Sequence, residues 1–298
     1  LATHGRFDYS PITSRQPFRW PGGARLAVYF ALGVEAYAFG EGASEALVPG
    51  IPKPDVLNWS WAEYGNRVGA WRVLDAFAGY QLPLTILLNT AIYAHAPALA
   101  QAFRRAGHEI VAHGRSNSDM MAQMSEAAEA SYIKRVTEDI AREEDAPPAG
   151  WASPWIAETV RTPDLLAEAG YRYVLDWCMD DQPVWMNTRS GPLLSVPYSQ
   201  ELNDSSSMIG RQVSPSDFAD MIVDQFDEML AQDDNQPLVM SVILHSFIIG
   251  QPFRLRALRR AISHILQHRE AIWLTQPGQI SASIWSARDS ATPALVNP

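Results

Sequence analysis

The segment Leu26-Ala27-Val28-Tyr29-Phe30-Ala31-Leu32, set off by a Pro21-Gly22-Gly23 turn, is an unbroken apolar run. A strand with one wet face alternates apolar and polar residues. A run without alternation needs cover on both faces, as in a parallel sheet sheathed by helices. A Gly- and Pro-rich loop from about Gly40 to Lys53 leads into helical spacing from about Gly65 to Gly79, carrying Val68, Trp71, Leu74, Ala76 and Phe77. Strand-like segments then recur at 82–89, 108–112, 149–153, 171–176, 193–197, 238–244 and 271–275. Helix-like segments stand between them at 96–106, 126–142, 163–169, 214–230 and 255–268. The alternation predicts an α/β fold, a (β/α) barrel around one closed or nearly closed parallel sheet. No repeat, low-complexity tract or linker splits the chain, so a single domain over 1–298 is expected. Functional side chains of such barrels follow the C-terminal ends of strands, where Glu35, His113 and His245 stand.

Composition narrows the function. Of 298 residues, 47% are hydrophobic and 19% charged, enough for a sizeable core. The net charge of −10 and pI near 5.1 disfavour nucleic acid and anionic lipid as partners. No apolar run approaches the roughly 20 residues of a membrane span, and the first residues carry no signal core. The expectation is a cytoplasmic protein. A single cysteine, Cys178, rules out an internal disulfide and reads as a buried small hydrophobe. Walker, dinucleotide and G-x-S-x-G motifs are missing, which argues against nucleotide enzymes and serine hydrolases of that type.

Gly107-His108-Glu109-Ile110-Val111-Ala112-His113-Gly114 resembles the G-H-E-I-x-x-H segment of polysaccharide deacetylases. Ala149-Gly150-Trp151-Ala152-Ser153-Pro154, Leu165-Leu166-Ala167-Glu168-Ala169-Gly170-Tyr171 and Leu244-His245 keep that family's order. Within the superfamily, Glu63-Tyr64-Gly65-Asn66-Arg67-Val68-Gly69-Ala70-Trp71-Arg72 looks like the E-Y-G-x-R-x-G-x-W-R signature of allantoinase-like and cyclic-imide-hydrolase-like members. Asp176-Trp177, Pro197-Tyr198, Asn203-Asp204 and Ile249-Gly250-Gln251-Pro252 point the same way. The resemblance implies a single catalytic domain over 1–298 with its core over about 20–280, a distorted (β/α) barrel of the polysaccharide-deacetylase type, and a homo-oligomer acting on small cyclic amides.

The departures concern the metal. Metal-using deacetylases carry T-F-D-D-G after the first strand and H-x-x-x-H in the later motif. Here the stretches read Gly33-Val34-Glu35-Ala36-Tyr37 and His113-Gly114-Arg115-Ser116-Asn117. Glu35 takes the base position, Ala36 has no ligating atom, and Asn117 replaces an imidazole with an amide that suits zinc poorly. The reading is therefore no cofactor. The alternative is a divalent metal such as zinc held by Glu35, His113 and His245.

Without a metal, a carboxylate can still take a proton from water as it attacks a carbonyl, provided its surroundings lift its pKa towards neutrality. Glu35 is the candidate base, His245 the oxyanion holder or proton donor, and His113 the group that orients water or substrate. Substrate contacts are assigned to Asn117, Tyr64, Arg67, Trp151, Trp177, Tyr198 and Asn203, with Trp155 and Trp185 as further candidate walls. Each has a plainer structural reading as turn, helix-surface or core residue. His108 reads as packing, His95, His264 and His268 as helix-surface residues, and Ser205-Ser206-Ser207 as loop filling.

The expected activity is hydrolytic opening of a small cyclic amide or imide. Asn117 favours imides, because allantoinase-like members tend to have an aromatic residue there. An allantoinase-like ureide hydrolase and a metal-dependent N-deacetylase of a sugar or glycan are the enzymatic alternatives. An inactive small-molecule-binding barrel is the non-enzymatic one.

Overall fold

The structure, a computed structural model, describes residues 3–232 and 236–291. Its spine is β1 (Leu26–Val34), buried along its whole length. Ala27, Tyr29 and Ala31 face the barrel interior with Leu87, Val111, Tyr173 and Val239, whereas Leu26, Val28, Phe30 and Leu32 pack into the helical layer. The missing polar alternation thus has its expected cause: both faces are covered.

Around β1 stand β2 (Thr85–Leu88), β3 (Glu109–Ala112), β4 (Gly150–Trp151), β5 (Tyr173–Val174), β6 (Val184–Thr188), β7 (Gly191–Ser195), β8 (Leu238–His245) and β9 (Ile272–Leu274). The order is β6-β7-β5-β4-β3-β2-β1-β8, with β9 on the first residues of β1 and β2 on its last. Two expectations are corrected here. The sheet is open, since among the described residues no ladder joins β8 to β6; the edge of β8 is met by the backbone of Asp181 and Leu202 and by a single bridge at Asn203. The sheet is also not wholly parallel, because β6 and β7 form an antiparallel hairpin. Only one residue of β6, Met186, is buried, so its sequence carries no core-strand signal.

The outer layer comprises α1 (Val56–Tyr64), α2 (Ala70–Tyr80), α3 (Ala91–His95), α4 (Pro97–Arg105), α5 (Glu126–Glu144), α6 (Thr162–Glu168), α7 (Pro215–Ala231), α8 (Ser246–Ile249), α9 (Pro252–Ile265) and α10 (Pro277–Ala291). Ser125 and Ser214 cap α5 and α7 by accepting from the amides of Ala128 and Asp217, and Pro215 occupies the first turn of α7. Among the described residues no helix is long and apolar enough to cross a membrane. The helix read from Gly65 begins earlier, at Val56, and joins α2 through a π turn over Gly65–Gly69. That turn lies against α8: a Cβ at Gly65 would come 2.5 Å from Ser246 Oγ, and one at Gly69 would collide with the Ser246 carbonyl. The spaced glycines of the E-Y-G-x-R-x-G segment therefore admit the residue that follows His245. Cys178 is exposed, not buried, because Leu175 is the last core residue before the chain leaves the sheet.

Candidate active site

Glu35 follows β1, His113 follows β3, and His245 ends β8. Parallel pairing sets Gly33 beside His245 and Leu88 beside Ala112, so the three side chains emerge at one end of the barrel. A Cβ on Gly33 would lie 3.0 Å from Glu35 Oε1 and 3.1 Å from the His245 ring. The absent side chain is what makes room for the pair. Glu35 Oε1 sits 3.5 Å from Nε2 of His113 and 3.5 Å from Nε2 of His245. Its other oxygen accepts a hydrogen bond from the Tyr37 hydroxyl at 2.5 Å.

Each imidazole is turned by a partner behind it. His113 Nδ1 lies 2.7 Å from the Ala152 carbonyl. That oxygen can only accept, so Nδ1 carries the proton of this hydrogen bond and Nε2 is the nitrogen turned to Glu35. His245 Nδ1 lies 2.6 Å from Asp204 Oδ1, and its backbone amide donates to Asp204 Oδ2. Burial works against charge on His245, yet Glu35, Asp204 and Glu45 together push its pKa up to about 9. Burial would raise Glu35, but the charge of His245, contacts with His113 and the Tyr37 hydroxyl outweigh it and hold the carboxyl below its ordinary range. The expected lift of Glu35 towards neutrality is corrected accordingly: Glu35 is an ionised carboxylate beside an imidazolium.

A pocket of about 120 Å³ opens over this cluster, lined also by Tyr37, Glu45, Asn117, Trp155, Ile156, Tyr198 and Asn203. Asn117 is fixed by Asn89. The Asn89 amide donates to Asn117 Oδ1 at 3.0 Å, and its oxygen accepts from the amides of Ala36 and Asn117. With Oδ1 engaged, the Asn117 NH₂ is the end left for the pocket. Trp155 and Ile156 both have left-handed backbone (φ 62° and 53°), and the Trp155 indole donates to the Asn117 carbonyl. Such backbone is costly for a β-branched residue and concentrates where a site holds it in place.

Of the predicted site residues, Glu35, His113, His245, Asn117, Tyr198 and Asn203 meet in this pocket. The others do not. Trp151 is fully buried and donates to Ser153 Oγ, while Trp177 packs on His4 and Phe7. Trp185 stacks edge-on with Trp285. Arg67 is exposed on the π turn, and the Tyr64 hydroxyl turns towards the Gly250 carbonyl and Arg72. Conversely, Glu45, Tyr37, Asp204 and Asn89 carry roles that sequence reasoning left unassigned. Ser205 and Ser206 are more than loop filling: both line the pocket, and Ser205 Oγ donates to Glu45 Oε2 at 2.9 Å. Burial, reinforced by the like charges of Glu35 and Asp204, raises the Glu45 carboxyl above its usual value despite His245 and Ser205.

The metal alternative can be tested against this geometry. Two imidazole nitrogens bound to one zinc at about 2.0–2.1 Å lie within roughly 4 Å of each other. Glu35, His113 and His245 do not offer one ligating atom each such that all three fall within 4.8 Å. Ala36 offers no donor and Asn117 Oδ1 is already engaged. As arranged, these residues do not fit a zinc ion.

The chain is 31% identical to PuuE allantoinase, whose crystal structure matches 96% of this chain and 100% of its own with a TM-score of 0.84. The chain belongs to the polysaccharide-deacetylase superfamily, in its allantoinase-like branch. The polysaccharide deacetylase family pattern itself matches residues 62–174. A probable polysaccharide deacetylase from Pseudomonas aeruginosa PAO1 is 29% identical, with a TM-score of 0.79 over 88% of this chain and 92% of that one. The peptidoglycan deacetylase of Helicobacter pylori is 25% identical across 71% of this chain and 82% of its own length. Membership makes the chain a hydrolase of C–N bonds, of the deacetylase and allantoinase kind.

Proposed function

We propose that the chain opens a small cyclic amide or imide by hydrolysis of a ring C–N bond, using its own side chains for every proton transfer. The observation that carries the reading is Glu35 Oε1 held 3.5 Å from two differently oriented imidazole nitrogens in a pocket of only about 120 Å³. The attacking water donates to Glu35, and His113 Nε2, 3.5 Å from the same carboxylate oxygen, holds it so that an oxygen lone pair turns outwards. A ring carbonyl placed against that water has its oxygen towards His245 Nε2–H and the Asn117 amide, which stabilise the negative charge that develops. The water proton passes to Glu35 as the C–O bond forms. Collapse of the tetrahedral intermediate breaks the ring C–N bond, and the nitrogen takes a proton from Glu45. The Glu35 proton then returns Glu45 to its acid form through solvent, and the product is a chain bearing one carboxylate and one amide.

Glu35 and Glu45 fit these opposite roles because their surroundings drive their acidities apart. A depressed carboxylate is a weak base at rest. As His245 shares its proton with the forming oxyanion, Glu35 loses its counter-charge and becomes more basic when the proton must move. The small pocket favours a compact planar ring over a glycan chain. The allantoinase relative supports a cyclic ureide as the second substrate class.

The test is a substrate panel of succinimide, maleimide, phthalimide, hydantoin, allantoin and a chitin oligomer, run on metal-analysed protein with and without chelator. Ring opening that survives chelation supports the reading. Turnover of the glycan alone, abolished by chelation, overturns it.

A further inference from the structure

A second group of ligating side chains lies away from the catalytic pocket, at the opposite end of the barrel. His264 is in the last turn of α9, and His268 closes the short 3-10 turn Leu266–His268, just ahead of the first residue of β9. Asp227 comes from the C-terminal half of α7, the helix packed against α9. One oxygen of Asp227 and one nitrogen from each imidazole all lie within 4.8 Å of one another, a spacing the catalytic trio does not reach.

The two histidines are four positions apart on one face, with ring centroids separated by 5.7 Å. Their rings rest against Phe226, which is buried and fixes their height above α7. Asp227 Oδ1 and His264 Nε2 are 2.7 Å apart. A simple surface ion pair would end there. The third group does not belong to it, because within the described residues the His268 ring has no hydrogen-bond partner. Two imidazoles and a carboxylate are the donor set of a borderline divalent cation, zinc above calcium or magnesium. Ligands around such an ion stand about 3.5 Å apart. Asp227 is exposed and His264 half-buried, so binding requires side-chain rotation that opens the 2.7 Å pair and closes the wider ones.

We propose that Asp227, His264 and His268 form a zinc-class site that clamps α7 to α9, with water completing the coordination. It lies at the end of the barrel that serves stability, so its occupancy raises resistance to unfolding and leaves turnover unchanged. The site is independent of the chemistry assigned to Glu35.

The experiment adds zinc chloride to chelator-stripped full-length chain and follows calorimetric binding and thermal unfolding. The expected result is one zinc per chain and a midpoint raised by about 5 °C at ~100-fold excess over Kd. Both effects should be lost in His268→Ala and in Asp227→Asn and kept in Glu35→Gln. Zinc uptake that persists in His268→Ala but vanishes in Glu35→Gln overturns the proposal, because the ion then sits in the catalytic pocket. Stripped protein that takes up no zinc overturns it equally. Circular dichroism of the metal-free variants shows whether each is folded, and His264→Gln, at a half-buried member of the trio, should lose zinc uptake as well.

Discussion

Glu35 Oε1 and His245 Nε2 lie 3.5 Å apart in a buried setting, and each fixes the charge of the other. Burial opposes both charges, and each side chain is among the groups that hold the other ionised. Together they form an acid–base couple whose two limbs are visible in a pH profile.

The kcat/KM of the best cyclic substrate should fall on the acid side only below the ordinary carboxylate range, where the Glu35–His245 couple takes up a proton. On the alkaline side it should fall in two steps, first as Glu45 gives up its proton above the usual carboxylate range and again near pH 9 as His245 becomes neutral. Glu35→Gln should lower kcat/KM by about 10³-fold. Asp204→Asn removes a group that raises His245, so the upper alkaline step should move to lower pH. An upper step that stays at pH 9 in Asp204→Asn would place it on another group.

The same couple affects stability, and its sign follows from the direction of each shift. His245 is raised in the folded state, so its contribution is complete below the unfolded histidine value of about 6.5. It is lost as pH rises through about 9. Glu35 is depressed, so its contribution is present above the usual carboxylate value and is lost as pH falls through its folded one. Urea unfolding of wild type and His245→Gln at pH 6, 7.5 and 9.5 should show a stability gap that narrows towards the alkaline end. A gap that is constant or widens contradicts the assignment.

Glu45 is proposed to protonate the leaving nitrogen, and that role has a signature distinct from simple binding. Glu45→Gln should lower kcat by about 10²-fold on succinimide. The loss should shrink on an imide whose nitrogen bears an electron-withdrawing substituent, because that nitrogen leaves without a proton. An equal loss on both, confined to KM, would make Glu45 a binding group.

The layout of the barrel was legible because β1 and β8 are long, apolar and covered on both faces. Glu35, His113 and His245 stand at the ends of strands that the sequence pattern marks. The hairpin strand β6 was not legible, since one buried residue leaves no pattern. Glu45 lay hidden in a loop whose sequence has no periodicity, and only its contact with Ser205 from a distant turn reveals which way it points. Asn89 is a polar residue at the end of a buried strand, a position that could have marked it as the hub for Ala36 and Asn117. Tyr64 and Arg67 misled for the opposite reason: their motif is shaped by its glycines.

That last point can be tested directly. Gly69 lies where a Cβ would meet the Ser246 carbonyl, and Gly250 packs against Gly69 from α8. Gly69→Ala should therefore destabilise the fold by about 1–3 kcal/mol through overpacking. It should also lower kcat, because Ser246 directly follows His245 and cannot move without it. Gly79, in the last turns of α2, has nothing within 4 Å of its added Cβ. Gly79→Ala should instead be neutral or stabilise by up to about 1 kcal/mol through helix propensity, with activity unchanged. Thermal melts and turnover of the two variants side by side check the claim. If Gly69→Ala proved as stable and active as Gly79→Ala, the glycine spacing would not be set by the approach of α8.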